Sequence, residues 1–204
     1  LNIHIGNIFI NKTNLLVENS ANASIFSVTD GVLILYNVHA EKQDTLSSDI
    51  IKRFDFMAKE VISVSPDSMH SYTIRGINYS ANSNTLAIDS FSIQPNYSDY
   101  DFTSRYKFQK SRIEAWFSNI LVRGFSAEDY FRTGNLISSK IDIGKMDMKV
   151  FKDKRKEFRH INKPAYQDMI YRYPGTLRIG LISLKNGNVI YKKSFGYSDY
   201  NTKK

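Results

Sequence analysis

Apolar residues along this chain recur as two alternating pairs separated by a double step. Five stretches read Φ-x-Φ-x-x-Φ-x-Φ: Ile3, Ile5, Ile8, Ile10; Tyr72, Ile74, Ile77, Tyr79; Leu86, Ile88, Phe91, Ile93; Ile141, Ile143, Met146, Met148; and Leu177, Ile179, Ile182, Leu184. Of the 20 spacer positions, 17 are polar or Gly, the exceptions being Phe9, Ala87 and Leu181. Alternation of this kind marks a strand with one wet face. The double step leaves two readings: either the apolar face flips midway, or a bulge absorbs one residue. A bulge recurring at matched positions would bend every strand alike and curl the sheet.

The rest of the chain fits the same pattern. Leu1 to Asn11 reads as a strand, with Leu15 to Val17 beginning its return. Ile25 to Val28 and Val32 to Val38 flank Asp30-Gly31, a hairpin signal because Asp-Gly suits left-handed turn positions. Asp44 to Arg53 suggests a short helix, and Phe54 to Val64 a strand stopped by Pro66. Ser71 to Ser80 and Thr85 to Ile93 form a hairpin around a polar tip, and Arg112 to Arg123 adds a strand. Ser126 to Thr133 predicts a brief helix capped by Ser126, and Asn135 to Phe151 a long strand. Pro164 to Tyr171 predicts a third helix. Thr176 to Lys185 and Asn188 to Phe195 flank Asn186-Gly187, the leading type I′ turn pair. The expected total is about ten strands and two or three short helices. Helices so sparse cannot serve as parallel crossovers, so the sheet is expected to be mostly antiparallel.

The chain of 204 residues suits a single β-rich domain over 1–204, and 13 Tyr with 13 Phe exclude a disordered chain. It contains no Cys, which excludes disulfides and thiolate chemistry. No apolar run approaches the ~20 residues of a membrane-spanning helix. Charge is uneven: residues 1–102 carry a net −5 and residues 103–204 a net +13. That basic half suits anionic headgroups, nucleic acid, an acidic partner or the chain's own acidic half.

Several segments carry a family likeness. They are Asp67 to Pro95, Phe108-Gln109-Lys110-Ser111-Arg112-Ile113-Glu114, Lys149-Val150-Phe151-Lys152-Asp153-Lys154-Arg155, Lys163-Pro164, Leu177 to Leu184 and Asn186 to Tyr191. In order and spacing, best over residues 67–195, this set resembles the AsmA-like proteins of Bacteroidetes-type bacteria, related to the TamB and YhdP group. The resemblance implies a periplasmic envelope protein, anchored in the inner membrane in its full-length form, of which this chain would be a segment. It also implies a repeating β-groove and a part in moving phospholipid toward the outer membrane. A floor ~26 Å across, from strands of ~8 residues, would hold acyl chains at ~0.8 kcal/mol per buried methylene.

Catalytic chemistry is sparse. His4, His39, His70 and His160 show no metal-ligand spacing, no Gly-rich phosphate loop occurs, and Gly124-Phe125-Ser126 lacks the trailing glycine of a nucleophile elbow. Asp99 and Asp101 sit two apart on an expected loop and read as solvated rather than as a hydrolase pair. Four Asn-x-Ser/Thr sequons (Asn11, Asn22, Asn78 and Asn96) matter only in a eukaryotic secretory context. The basic run Lys149, Lys152, Lys154, Arg155, Lys156, Arg159 interleaves with Phe151 and Phe158 but lacks the pattern of a nucleic-acid fold, which disfavours nucleic acid as partner.

The expectation is therefore a mostly β fold, a curved antiparallel sheet forming a β-groove or half-open roll. It would be a non-enzymatic, cofactor-free and metal-free envelope module for lipid handling, transport or outer-membrane biogenesis, with phospholipid or another acyl-chain ligand and an envelope protein as partners. The candidate lining is Ile74, Ile77, Ile88, Phe91, Ile143, Met146, Ile179 and Ile182, either open to lipid or closed into a core. Lys149, Lys152, Lys154, Arg155 and Arg159 would meet a headgroup or partner. The alternative is a β-rich protein-interaction or glycan-binding module using Trp116, Tyr97 and Tyr100.

Overall fold

Among the described residues, ten strands and two short helices follow one another as β1 (Ile3–Asn19), β2 (Ser24–Ala40), β3 (Phe54–Val64), β4 (His70–Ser80), β5 (Thr85–Pro95), α1 (Asp99–Ser104), β6 (Ser111–Arg123), α2 (Ala127–Thr133), β7 (Leu136–Ser138), β8 (Lys140–Asp153), β9 (Leu177–Ile179) and β10 (Ile182–Ser194). This computed structural model describes residues 3–19, 24–40, 53–158, 173 and 175–195. The helices expected over Asp44–Arg53 and Pro164–Tyr171 lie outside the described residues, apart from Arg53. Eight strands form one sheet in the order β1-β2-β3-β4-β5-β6-β8-β10, and β7 pairs with β9 beside it.

The sheet corrects the expected curved antiparallel groove. Pairing is antiparallel from β1 to β8, but β10 lies parallel to β8 and β9 parallel to β7. The sheet is mixed, open, and neither closed nor strongly curled: β1 and β10 end the strand order without meeting. The argument from sparse helices failed because a parallel return needs chain length, not a helix. Residues 154–181 exceed the dozen or so that such a return requires.

Two turn-forming pairs sit inside strands instead of between them. Asn186-Gly187 lies mid-way along β10, in unbroken register with Lys145 and Met146 of β8. Asp30-Gly31 lies inside β2, where Asp30 adopts φ 49° without reversing the chain. The break expected after Asn11 is also absent, since β1 runs on to Asn19. By contrast, the β4–β5 hairpin and the Phe54–Val64 strand occur as expected.

Mid-strand left-handed residues belong to one feature. Each ladder from β2 to β10 is interrupted at the same level: Asp30 with Lys59 (and Gly31 with Ala58), Lys59 with Gly76, Gly76 with Asp89, Asp89 with Asn119, Asn119 with Gly144, and Gly144 with Lys185. On β4–β8 the register on either side stays constant, so a crease crosses the sheet without slipping it. Positive φ occurs at Asp30 (49°), Gly76 (62°) and Asn119 (52°) on this line. Gly76 is required there: a Cβ would lie 2.0 Å from Asp89 Oδ2 and 2.8 Å from Asp89 Cβ. On β4, β5 and β8 the crease falls in the double spacer of the sequence, whereas in Leu177–Leu184 that spacer is the link from β9 to β10.

The helices close the two ends of the sheet. Ser126 caps α2 by accepting from Asp129 N at 3.1 Å, and Gly134 ends it at φ 71°. The Tyr79 hydroxyl docks α2, donating to Glu128 Oε2 at 2.6 Å and accepting from Ala127 N at 3.0 Å. Burial and the Glu128 carboxylate push its pKa up, keeping it a donor. At the opposite end Ser98 caps α1, whose Phe102 is fully buried beside His70 and Tyr106. Asp99 and Asp101 thus lie in a helical first turn, not the expected loop.

Candidate functional site

Cross-strand pairing places most of the apolar repeat on one face. One row runs Val28, Val61, Ile74, Phe91, Phe117, Met146, with the Phe91 and Phe117 rings stacked at 5.8 Å. A row beyond the crease runs Ala58, Ile77, Ile88, Ile120, Ile143, Leu184. Whether the two rows share a face is settled at Gly187, which pairs with Met146. A Cβ there would meet Leu184 Cδ2 at 3.1 Å and Met146 Cε at 3.6 Å, so Leu184 and Met146 point the same way. A Cβ on Gly31, likewise, would sit 3.3 Å from Val28 Cγ1. The apolar face does not flip; the crease absorbs the extra residue.

Of the eight expected lining residues, the structure brings together Ile74, Ile77, Ile88, Phe91, Ile143, Met146 and Ile182 on this face. Ile179 lies apart, on β9 against Ser138. α2 overlies the face at one end, where Phe54, Tyr79, Phe125 and Phe131 cluster, and Phe102 of α1 packs on His70 at the other. Toward the sheet edges the side chains are well exposed: Phe26 at 40 %, Val189 at 56 % and Ile182 at 59 %. Flanking residues Leu15, Val17, Ile113 and Tyr191 extend the exposed apolar area and were missed by the sequence reading, because none lies in a repeat window.

The opposite face carries paired charges below the crease. Arg75 bridges Glu60 at 2.8 Å, Lys145 bridges Asp147 at 2.8 Å, and Lys149 bridges Glu114 at 3.1 Å. Near α1 a cleft of about 510 Å³ opens between Tyr100, Arg112, Glu114, Lys149, Phe151 and Lys192. Arg112 forms its centre: Nε donates to Tyr97 O at 2.9 Å, and Nη1 lies 3.3 Å from Asp99 and 3.4 Å from Glu114. The hydrogen bond from Lys149 holds the Glu114 carboxyl below the usual range, helped by the charges of Lys149 and Arg112. Tyr100 stands edge-on to Phe151 at 5.3 Å, under the Arg155 guanidinium at 4.7 Å. A second cleft of about 250 Å³ adjoins it, sharing Glu114 and Lys149 and holding Trp116 and Gln94.

The basic run does not form one patch. Lys149 faces the polar side, whereas Lys152, three residues on, falls on the other face, 5.7 Å from the Phe158 ring. Arg155 turns back to clamp Asp153 through bonds of 2.9 and 2.8 Å, which lowers the Asp153 pKa. Lys154 donates its backbone N–H to Ser194 O at 2.7 Å, and Lys156 Nζ to the carbonyls of Tyr106 and Ser104. Arg159 lies outside the described residues. Of the three aromatic candidates, Tyr100 and Trp116 line the two clefts, and Tyr97 is stacked under Arg105 at 3.7 Å.

No group of three or more metal-ligating side chains occurs among the described residues, and none of their helices is long and apolar enough to cross a membrane. The chain matches no protein-family model, no curated protein and no solved structure, so none of these comparisons links it to the AsmA-like proteins.

Proposed function

We propose that this domain is a non-enzymatic protein-interaction module whose apolar sheet face docks against a partner protein. The observation that carries it is the extent of that face. Eight strands ~4.8 Å apart, sharing a common width of 11 residues at ~3.3 Å, span roughly 34 by 36 Å, or about 1,200 Å² in plan less the end that α2 covers. Monomeric proteins rarely expose contiguous apolar patches above a few hundred Å². A standard interface buries about 800 Å² per partner. An open face of this size suits a second polypeptide layer, since an apolar sheet face is stable when packed against another element. An open sheet offers an acyl chain no enclosing walls, which favours protein over lipid as the occupant.

The test uses paired photo-crosslinking residues on β8, one replacing Met148 on the apolar face and one replacing Asp147 on the polar face. The expected result is a crosslink in cells to one distinct polypeptide from position 148 and none from 147. That polypeptide, purified, should bind the wild-type domain and lose at least tenfold in affinity to Val189→Asp, about 1.4 kcal/mol. Crosslinks from position 148 to lipid alone, or to the chain itself alone, would overturn the proposal.

A further inference from the structure

We propose that the joined clefts on the polar face, from Tyr100 across Glu114 and Lys149 to Trp116, form a binding site for a neutral saccharide. The site lies on the side of the sheet opposite the proposed protein interface and goes beyond that reading. Arg112, Glu114 and Trp116 are successive residues on one side of β6, so the trough runs about 13 Å from Arg112 to Trp116. Tyr100, 53 % exposed, walls one end and Trp116, 39 % exposed, stands at the other. Two aromatic rings flanking charged, hydrogen-bonding side chains suit a ligand with apolar C–H faces and a rim of hydroxyls.

Charge disfavours the nearest competitors. The clefts hold three carboxylates, Asp99, Glu114 and Asp147, and three cations, Arg112, Lys149 and Lys192. Arg112 and Lys149 are already engaged by Asp99 and Glu114. A phosphate, a headgroup or a nucleic acid would have to displace those carboxylates, whereas a neutral polyol can accept from the cations and donate to the anions. An extended peptide is disfavoured for another reason. β6 and β8 are interior strands with backbone ladders satisfied on both sides, leaving only side chains for recognition.

The test exploits Trp116, the single tryptophan of the chain. Its emission is followed while the protein is titrated with neutral hexasaccharides from xylan, β-glucan, α-glucan, mannan and chitin. A heparin hexasaccharide and inorganic phosphate serve as charged probes. The expected result is a change in emission with one neutral series, at a Kd below about 1 mM. Tyr100→Ala, at an exposed position, should weaken it at least tenfold with an unchanged circular dichroism spectrum. Val189→Asp on the other face should leave it intact, so the two proposals fail separately. The inference is overturned if no neutral saccharide binds below that limit, if heparin or phosphate binds more tightly than any neutral series, or if binding survives Tyr100→Ala.

Discussion

Replacing Gly76 by alanine tests the crease that keeps the apolar residues on one side of the sheet. Two costs add at this position. An L-residue held at φ 62° loses about 1–2 kcal/mol relative to glycine. The new Cβ also falls 2.0 Å from Asp89 Oδ2 and 2.8 Å from Asp89 Cβ. The carboxylate can swing away, because Asp89 is exposed, but its Cβ is fixed to β5, so the backbone must part there. Such overpacking typically costs a further 1–3 kcal/mol, for a total of roughly 2–5 kcal/mol. Urea denaturation followed by circular dichroism reads this as a lower midpoint at unchanged m-value. The double variant Gly76→Ala/Asp89→Gly separates the costs: the contact is relieved, the backbone strain stays, and about 1–3 kcal/mol should return as coupling. A loss below about 0.5 kcal/mol in the single variant would mean that Gly76 does not hold a left-handed conformation, and the single-faced repeat would fall with it.

Two further outcomes follow from the sheet ends. Tyr79→Phe removes the bond to Glu128 and orphans the N–H of Ala127, so it should cost about 2–4 kcal/mol, measured by the same denaturation. His70 has its pKa lowered by burial beside Phe102. Its neutral form is favoured in the fold, so its contribution is complete above the unfolded pKa of ~6.5 and declines as pH falls below it. Thermal melts from pH 7.5 to 5.0 should show a fall in Tm that is smaller in His70→Asn; an equal fall in both proteins would refute the assignment.

How far the sequence revealed the fold depended on whether a signal was local. Ser126, the Ala81–Asn84 tip and Pro66 each act within a few residues, and the elements they bound are found as expected. Asp30-Gly31 and Asn186-Gly187 misled because the same backbone tolerance that makes a tight turn also serves a crease or a close side-chain contact. At Gly187 the missing Cβ leaves room for Leu184 and Met146, a need created by a neighbouring strand 41 positions away in sequence. Parallel pairing of β10 was illegible for the same reason, since direction is set by where residues 154–181 return the chain. Seven of the eight candidates picked from the repeat share one face, because period-two patterning survives any strand order. The polar cleft was only half visible: Tyr100 and Trp116 stood out as aromatics, but their link through Arg112 and Glu114 exists only once α1 folds over β6.

From β1 to β6 the order of strands in space is the order in the chain, and β8 joins next after the short β7 excursion. Growth of such an array is expected to be stepwise, because every added hairpin needs only the previous one as template. The last addition differs: β10 must find β8 across a long return and should dock late, after a seven-strand platform is already in place. Trimming the protein from its amino end would then shorten the array strand by strand, whereas losing β10 would uncover a raw edge on β8 ready to pair with another molecule.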